Sequence, residues 1–276
     1  MECLIPCFDP LLIARSGQCF RMTVASPRVV VALAGCDRLR ITILGKGRFR
    51  LDCTEQRFLE RWKPYFDLDE NYEAIEAQAM AQDRSLCRAA SACSGLRILR
   101  QDAWETLISF LISQRKSIKA IQTCIEKLCE RYGQPMRSRK ASYYAFPTAE
   151  ALLQAGESGL RECGVGYRAP YLLCAARCMA TGEMSLAALQ GLTDNEALAR
   201  LMTLNGVGIK VANCVLLFGF HRLARAPVDV WIERIITEEY GGISPFEGYG
   251  AYAGIFQQYL FLAKLDAQRG QRKKSS

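Results

Sequence analysis

The segment "LNGVGIKVANC", Leu204 to Cys214, places a lysine directly after a Gly-Val-Gly turn. The residues on either side of Lys210, as far as Phe220, are apolar around the whole helical circumference except at Asn213, so they predict a buried helix with Lys210 at the edge of the core. Burial disfavours the ammonium form, and a neutral amine can attack a carbon atom and form a Schiff base. A lysine that extends to solvent or pairs with a phosphate fits this segment equally well.

A carboxylate follows in the segment "APVDVW". Asp229 stands two residues after Pro227 and directly before "VWIERIITEEY", which reads as a helix, so Asp229 is predicted to be its N-cap. A carboxylate at a helix N-terminus stays ionised, and near a sugar it can stabilise an oxocarbenium-like transition state. The cap and the catalytic role are compatible.

The turn before Lys210 is predicted to join two helices. "TDNEALARLMTL" has Thr193 and Glu196 at capping-box spacing, whereas a P-loop would follow a strand. Gly206, Val207 and Gly208 would then bring the backbone close to a DNA phosphate, with the amides of the second helix facing it. A tight connector without a ligand is the alternative. A second copy of the pattern, "LRECGVGYRAPY", predicts another helical corner.

Composition narrows the class of partner. The chain has 276 residues, half of them apolar, and its 36 basic and 28 acidic residues leave a net charge of +8, which favours a polyanion such as nucleic acid. No apolar run reaches the roughly 18 residues that span a bilayer, so no membrane partner is predicted. The 13 cysteines contain no C-x-x-C and accompany a single histidine, His221, so we expect no metal, no cofactor and a reducing, intracellular compartment.

Element patterns predict an α+β protein. "RVVVALAG", "RLRITILG" and "RFRLDC" are typical of antiparallel strands, and "FLERWKPYF" and "ENYEAIEAQAMAQ" of amphipathic helices. "QDAWETLISFLIS" opens with Asp102 and Glu105 at capping-box spacing, and almost everything after it reads as helix. We therefore predict an N-terminal antiparallel β-sheet domain (1–98), a mainly α-helical helix-hairpin-helix domain (99–268) and a disordered basic tail (269–276).

Gly-Val-Gly-x-Lys, followed nineteen residues later by the aspartate of Pro-Val-Asp, resembles the helix-hairpin-helix DNA glycosylase superfamily, and in detail its 8-oxoguanine DNA glycosylase branch. The resemblance runs from "SGQCFR" to "QQYLFLAKLD", nearly the whole chain. In that branch a lysine attacks C1′ of the damaged nucleotide, expels the base and cleaves the strand by β-elimination. The resemblance assigns these catalytic roles to Lys210 and Asp229.

The resemblance also implies a substrate pocket. It places Cys214, Gln257 and Phe261 around the flipped base, with the ring stacking and the amide reading the Watson–Crick edge. The carbonyl of Gly17, in "SGQCFR", would accept the N7 hydrogen that distinguishes 8-oxoguanine from guanine. From the residues alone, Phe261 fits a core aromatic and Gly17 an ordinary turn. Gln257, amid apolar neighbours, needs a polar partner.

The expected partner is double-stranded DNA containing 8-oxoguanine, bound by a monomer. By resemblance, Tyr167 fills the hole left by the flipped base, and Arg168 and Arg115 face the opposite base. From the residues alone, the segment with Tyr167 and Arg168 and the segment with Arg115 each fit an exposed loop. Arg115 stands where an asparagine is usual and Ala120 replaces an arginine, so we expect relaxed opposite-base specificity. Two alternatives stay open: a monofunctional alkyl-purine glycosylase, which does not need Lys210, and a non-catalytic DNA-binding hairpin module.

Overall fold

The computed structural model describes residues 1–138 and 141–274, without the side chains of 137, 138, 141 and 269–274. Seven strands are assigned in this part of the chain, five in one sheet and two in a hairpin. They are β1 (Glu2–Leu4), β2 (Met22–Ser26), β3 (Val29–Ala34), β4 (Asp37–Gly45), β5 (Arg48–Leu51), β6 (Pro135–Ser138) and β7 (Ala141–Tyr144).

The five-stranded sheet is antiparallel throughout, in the order β1-β5-β4-β3-β2. Side chains alternate between the two faces of the sheet, and one face is packed against the core. Val30 and Ala32 of β3 are fully buried on that face, and Val30 pairs in register with Ile41 of β4, which is also buried. The three strands predicted from the sequence are β3, β4 and β5, so the N-terminal antiparallel sheet is confirmed.

Helices make up most of the remainder. In chain order they are α1 (Pro10–Arg15), α2 (Glu55–Arg57), α3 (Lys63–Tyr65), α4 (Tyr72–Gln82), α5 (Arg84–Ala92), α6 (Ala103–Ser113), α7 (Ile118–Tyr132), α8 (Ala149–Glu162), α9 (Ala169–Ala180), α10 (Leu186–Leu189), α11 (Asp194–Met202), α12 (Ile209–Gly219), α13 (Val230–Glu239) and α14 (Ala253–Lys274). A π-helical turn, Phe58–Trp62, joins α2 to α3, so the predicted helix over "FLERWKPYF" is irregular. None of the helices in the described residues is long and apolar enough to cross a bilayer.

The two predicted capping boxes turned out differently. At α11 the box is complete, because Thr193 and Glu196 each satisfy the other's backbone amide. At α6 only half of it forms: Asp102 accepts from the amide of Glu105 at 2.8 Å, but the Glu105 carboxylate lies 3.5 Å from buried Arg21. Desolvation raises the pKa of Glu105 to about 7, against the opposing charge of Arg21.

Two expectations about the helical part are corrected. The β6–β7 hairpin interrupts it between α7 and α8, and Tyr143 fastens this hairpin to the sheet through a 2.9 Å bond from its hydroxyl to the carbonyl of Cys36. The basic tail was expected to be disordered over 269–276, yet α14 continues to Lys274, and residues 275 and 276 lie outside the described part of the chain. Arginine, lysine and glutamine favour helices, and cations near a helix C-terminus are stabilised by the helix dipole.

Sheet and helices share one continuous hydrophobic core. The N-terminal part of the chain contacts the last helix mainly through α5, which packs against α14. Buried Cys93, just after α5, also donates a hydrogen bond from Sγ to the carbonyl of Tyr259 at 3.7 Å. The N-terminal part of the chain therefore supports the last helix, and with it one wall of the site described next.

Candidate active site

Six predicted residues from distant parts of the chain meet at one small cavity. The cavity has a volume of about 50 Å³ and adjoins a groove of about 920 Å³. Its lining includes both predicted catalytic residues and all four predicted substrate-binding residues: Gly17, Lys210, Cys214, Asp229, Gln257 and Phe261. Five side chains or backbone positions line both volumes and so form the boundary between them: Gly17, Phe110, Lys210, Asp229 and Phe261.

Lys210 is the second residue of α12 and is half-buried, so the predicted place at the edge of the core is confirmed. Its Nζ lies 5.3 Å from the centre of the Phe110 ring, within reach of a cation–π interaction. Cys214 lies one turn further along the same face and is buried. Burial raises the pKa of the Cys214 thiol to about 11, although the charge of Lys210 opposes this, so the thiol stays neutral at physiological pH.

Asp229 is the N-cap of α13, as predicted. Its Oδ1 accepts hydrogen bonds from the backbone amides of Trp231 and Ile232, both at 3.0 Å. These bonds hold the carboxylate where the cavity meets the groove, opposite the start of α12. The same side chain therefore caps a helix and presents an acceptor to whatever occupies the cavity.

Gly17 is held in place from behind by its neighbour. The Gln18 side chain, fully buried, donates to the carbonyl of Arg97 and accepts from the amide of Leu99, both at 2.9 Å. Gly17 has φ +78°, and a Cβ built on it would lie 3.8 Å from Cε1 of Phe261. Space is therefore available, but the backbone conformation is one that L residues rarely adopt.

Gln257 and Phe261 lie one turn apart on α14. Phe261 is half-buried rather than enclosed in the core, whereas Gln257 is buried and its Oε1 accepts from Nε2 of Gln258 at 2.9 Å. Gln258 is thus the polar partner that Gln257 was expected to need. The sequence analysis did not single it out, although a second glutamine inside an apolar helix was a visible signal.

The predicted helix–hairpin–helix is formed by α11, Thr203–Gly208 and α12. Gly206 has φ +84° and lies against Tyr171. Gly208 is the N-cap of α12 and has no side chain, so the amides of the first turn of α12 donate no hydrogen bond to a side chain of the cap residue. Val207 anchors the turn, because its side chain is buried and its amide donates to the carbonyl of Leu204 at 3.0 Å. The approach of its backbone to a DNA phosphate stays a prediction.

Of the residues predicted to fill the gap and to face the opposite base, Tyr167 and Arg115 are exposed, as expected of loop residues, whereas Arg168 is buried. Tyr167 is 49% exposed, but Arg168 is only 5% exposed, with its guanidinium 4.2 Å from the Tyr167 ring centre. Arg168 donates to the carbonyls of Val165, at 3.1 Å, and Gln114. Arg115 is exposed at the groove, with a positive φ of 52°. Carbonyl groups therefore accept from both terminal nitrogens of Arg168, which was expected to read a base, whereas its buried Nε has no hydrogen-bond partner among the described residues.

Two family models match adjoining parts of this chain. Residues 7–107 match the N-terminal domain of 8-oxoguanine DNA glycosylase, and residues 108–247 match the HhH-GPD superfamily base excision DNA repair protein. The chain belongs to the HhH-GPD superfamily. Within this superfamily the match of the N-terminal part confirms the 8-oxoguanine glycosylase branch that the sequence resembles, and the α+β fold class is confirmed with it.

The relatives of this HhH-GPD protein include enzymes of the same 8-oxoguanine glycosylase branch. A probable N-glycosylase/DNA lyase of Methanothermobacter thermautotrophicus is 31% identical over 240 residues, 76% of each chain. The structure of MBOgg1 in complex with a low-affinity DNA ligand is 33% identical with a TM-score of 0.90, over 96% of this chain and 94% of that one. Clostridium acetobutylicum 8-oxoguanine glycosylase/lyase, bound to double-stranded DNA with cytosine opposite 8-oxoG, is 30% identical with a TM-score of 0.89, over 95% and 93%.

Proposed function

We infer that this protein is a bifunctional DNA glycosylase and lyase that removes 8-oxoguanine from duplex DNA in base excision repair. The observation that carries the inference is the meeting of the Lys210 amine and the Asp229 carboxylate at one cavity beside a groove of about 920 Å³. The names of the relatives support both activities. The Lys210 amine lies against the apolar ring of Phe110, and the Asp229 carboxylate is held by its cap of α13.

The chemistry follows from these two groups. Nζ of Lys210, as the free amine, attacks C1′ while the bond from C1′ to the base nitrogen breaks, and the base leaves with that electron pair and takes up a proton. Positive charge develops on the sugar in this step, and the Asp229 carboxylate stabilises it. The sugar ring of the resulting N,O-acetal then opens: the C1′–O4′ bond breaks, O4′ keeps the electron pair and takes up a proton, and C1′ and Nζ form an imine. Removal of a C2′ proton then expels the 3′ phosphate.

Recognition of the lesion is assigned to Gly17. 8-Oxoguanine carries a hydrogen at N7, which the Gly17 carbonyl accepts, whereas guanine would present a lone pair to the same carbonyl. An unpaired buried acceptor costs about 1–3 kcal/mol, which disfavours guanine in the pocket. The hydrogen bonds of Gln18 to Arg97 and Leu99 keep this carbonyl from turning away.

The proposal includes relaxed selection of the opposite base. Ala120 offers no side-chain donor, and Arg168 already donates to the carbonyls of Val165 and Gln114. Reading of cytosine therefore falls to the remaining donors of Arg168, or requires Arg168 to leave these two carbonyls. We also propose that the protein acts as a monomer inside the cell, in a reducing compartment suited to its thirteen free thiols, all of which lie in the described residues.

The test is incubation with duplexes that each carry one lesion, with and without borohydride. Release of 8-oxoguanine, strand cleavage and a borohydride-trapped covalent complex are the expected results. An alkyl-purine glycosylase would instead release methylated purines without a trapped complex. A non-catalytic hairpin module would bind every duplex and release no base. Either pattern would overturn the proposal.

A further inference from the structure

Gln258 lies in the lesion cavity but has no role in the mechanism above. It lines the cavity together with Gln257 and is 5% exposed. Its Nε2 donates to Oε1 of Gln257 at 2.9 Å. Its own Oε1 is buried and has no hydrogen-bond partner among the described residues. A buried carbonyl oxygen without a donor is disfavoured, so a ligand that supplies a donor would be bound more favourably here.

The Watson–Crick edge of a guanine-type base supplies such donors. It presents O6 as an acceptor, and N1–H and the exocyclic N2 amino group as donors. The amide of Gln257 offers the two N–H donors of Nε2 and, on Oε1, one lone pair beyond that used by Gln258. Gln257 alone can therefore pair with O6 and N1–H. The N2 amino group then needs a second acceptor, and the orphaned Oε1 of Gln258 is a second acceptor in the same cavity.

We propose that Gln258 is a specificity-determining residue of the lesion pocket: its Nε2 orients the amide of Gln257, and its Oε1 accepts a hydrogen bond from the N2 amino group of the flipped base. The inference rests on the proposed 8-oxoguanine glycosylase function and deepens it. It makes the pocket selective on two edges, with Gly17 reading N7–H and Gln258 reading N2. A base that keeps the 8-oxo group and lacks the N2 amino group is therefore bound less well.

8-Oxohypoxanthine is that base, because it differs from 8-oxoguanine only at N2. Single-turnover excision of each base, opposite cytosine at fixed salt, is measured for the wild type and for Gln258→Leu, with Gln258→Met as a second variant of similar volume. The wild type is expected to favour 8-oxoguanine by on the order of tenfold, and the variants are expected to slow excision of 8-oxoguanine more than that of 8-oxohypoxanthine, so that the ratio falls to near one. Comparing the two ratios cancels the intrinsic difference between the leaving groups.

A packing effect on the helix would slow both bases alike. Ile255→Val supplies the matched control, since Ile255 is fully buried on α14 and does not line the cavity. It is expected to leave the ratio at the wild-type value. Equal ratios in the wild type and both Gln258 variants would overturn the role of Gln258 and leave the proposed function intact. A wild type that excises neither base and forms no trapped complex would overturn the proposed function itself.

Discussion

Two corners of this protein share a sequence pattern and place their cations differently. The first runs from Gly164 to Arg168 and the second from Gly206 to Lys210, each a Gly-Val-Gly, one further residue and a cation. The leading glycines adopt the same conformation, with φ +85° in the first corner and +84° in the second. Both corners connect helices, as the internal repeat predicted.

The corners diverge at the second glycine. Gly166 has φ +64° and begins a 3₁₀ turn that ends at Arg168, whereas Gly208 has φ −88° and caps α12. Arg168 then folds back onto protein carbonyls, while Lys210 reaches a cavity beside Phe110. The same local pattern thus yields a buried, hydrogen-bonded cation in one corner and a half-buried cation at the edge of the cavity in the other, and the partners supplied by the rest of the fold decide which.

The largest expected effect separates the two cations. Lys210→Gln should abolish the borohydride-trapped complex, because an amide does not form an imine, and Arg168→Gln should leave trapping in place. Denaturing gel electrophoresis of the trapped complexes measures both. Lesion-duplex binding by each variant at the same salt is the control, since lost affinity also reduces trapping. A trapped complex at the wild-type level in Lys210→Gln would remove the nucleophile from the second corner.

The next effect tests the carboxylate that faces the second corner. Asp229→Asn should slow single-turnover base release by about 10²- to 10³-fold, because the charge that stabilises the developing cation is lost. Asparagine is as good an N-cap as aspartate, so the melting temperature should change little. The variant therefore separates charge from capping. Base release at the wild-type rate, with the fold intact, would show that Asp229 only caps α13.

The glycines of the second corner should separate stability from DNA affinity. A Cβ at Gly206 would lie 2.5 Å from the Tyr171 ring and would add strain at positive φ, so Gly206→Ala should lower the free energy of unfolding by about 1–3 kcal/mol.

Gly208 faces open space, and Gly208→Ser should leave the free energy of unfolding unchanged, since serine is a favoured N-cap. It should weaken DNA binding, because the hydroxyl occupies a first-turn amide. Urea unfolding and binding titrations measure the two effects. Equal loss of stability in both variants would contradict this division.

The smallest effect concerns the first corner. Single-turnover excision opposite cytosine, adenine, guanine and thymine should show a cytosine preference below about a hundredfold, since one bidentate contact contributes about 1–3 kcal/mol. Arg168→Ala should flatten that preference. All four duplexes need the same salt, because backbone affinity otherwise masks base selection. Arg115 and Lys119 are exposed and line the groove beside the cavity. A preference of several hundredfold or more would show that one of them supplies a further donor.

Much of the fold was predictable because it depends on local patterns. Alternating apolar residues predicted β3, β4 and β5, and Thr193 with Glu196 predicted the start of α11. The π turn before α3 and the β6–β7 hairpin escaped prediction. Neither has a distinct short-range signature, and the hairpin is fastened by Tyr143 to a carbonyl more than a hundred residues away in the chain.

By itself, the sequence determined which chemistry is available: the amine of Lys210 after a glycine turn, and a carboxylate at Asp229 on a helix start. Those features follow from residue type and from spacing along one or two elements. Only the tertiary structure decided that Arg168 is buried, that Glu105 pairs with Arg21 rather than completing its box, and that Gln258 faces the lesion cavity. These outcomes depend on which polar groups meet when distant segments pack, because a buried donor or acceptor takes the partner that the fold brings within reach.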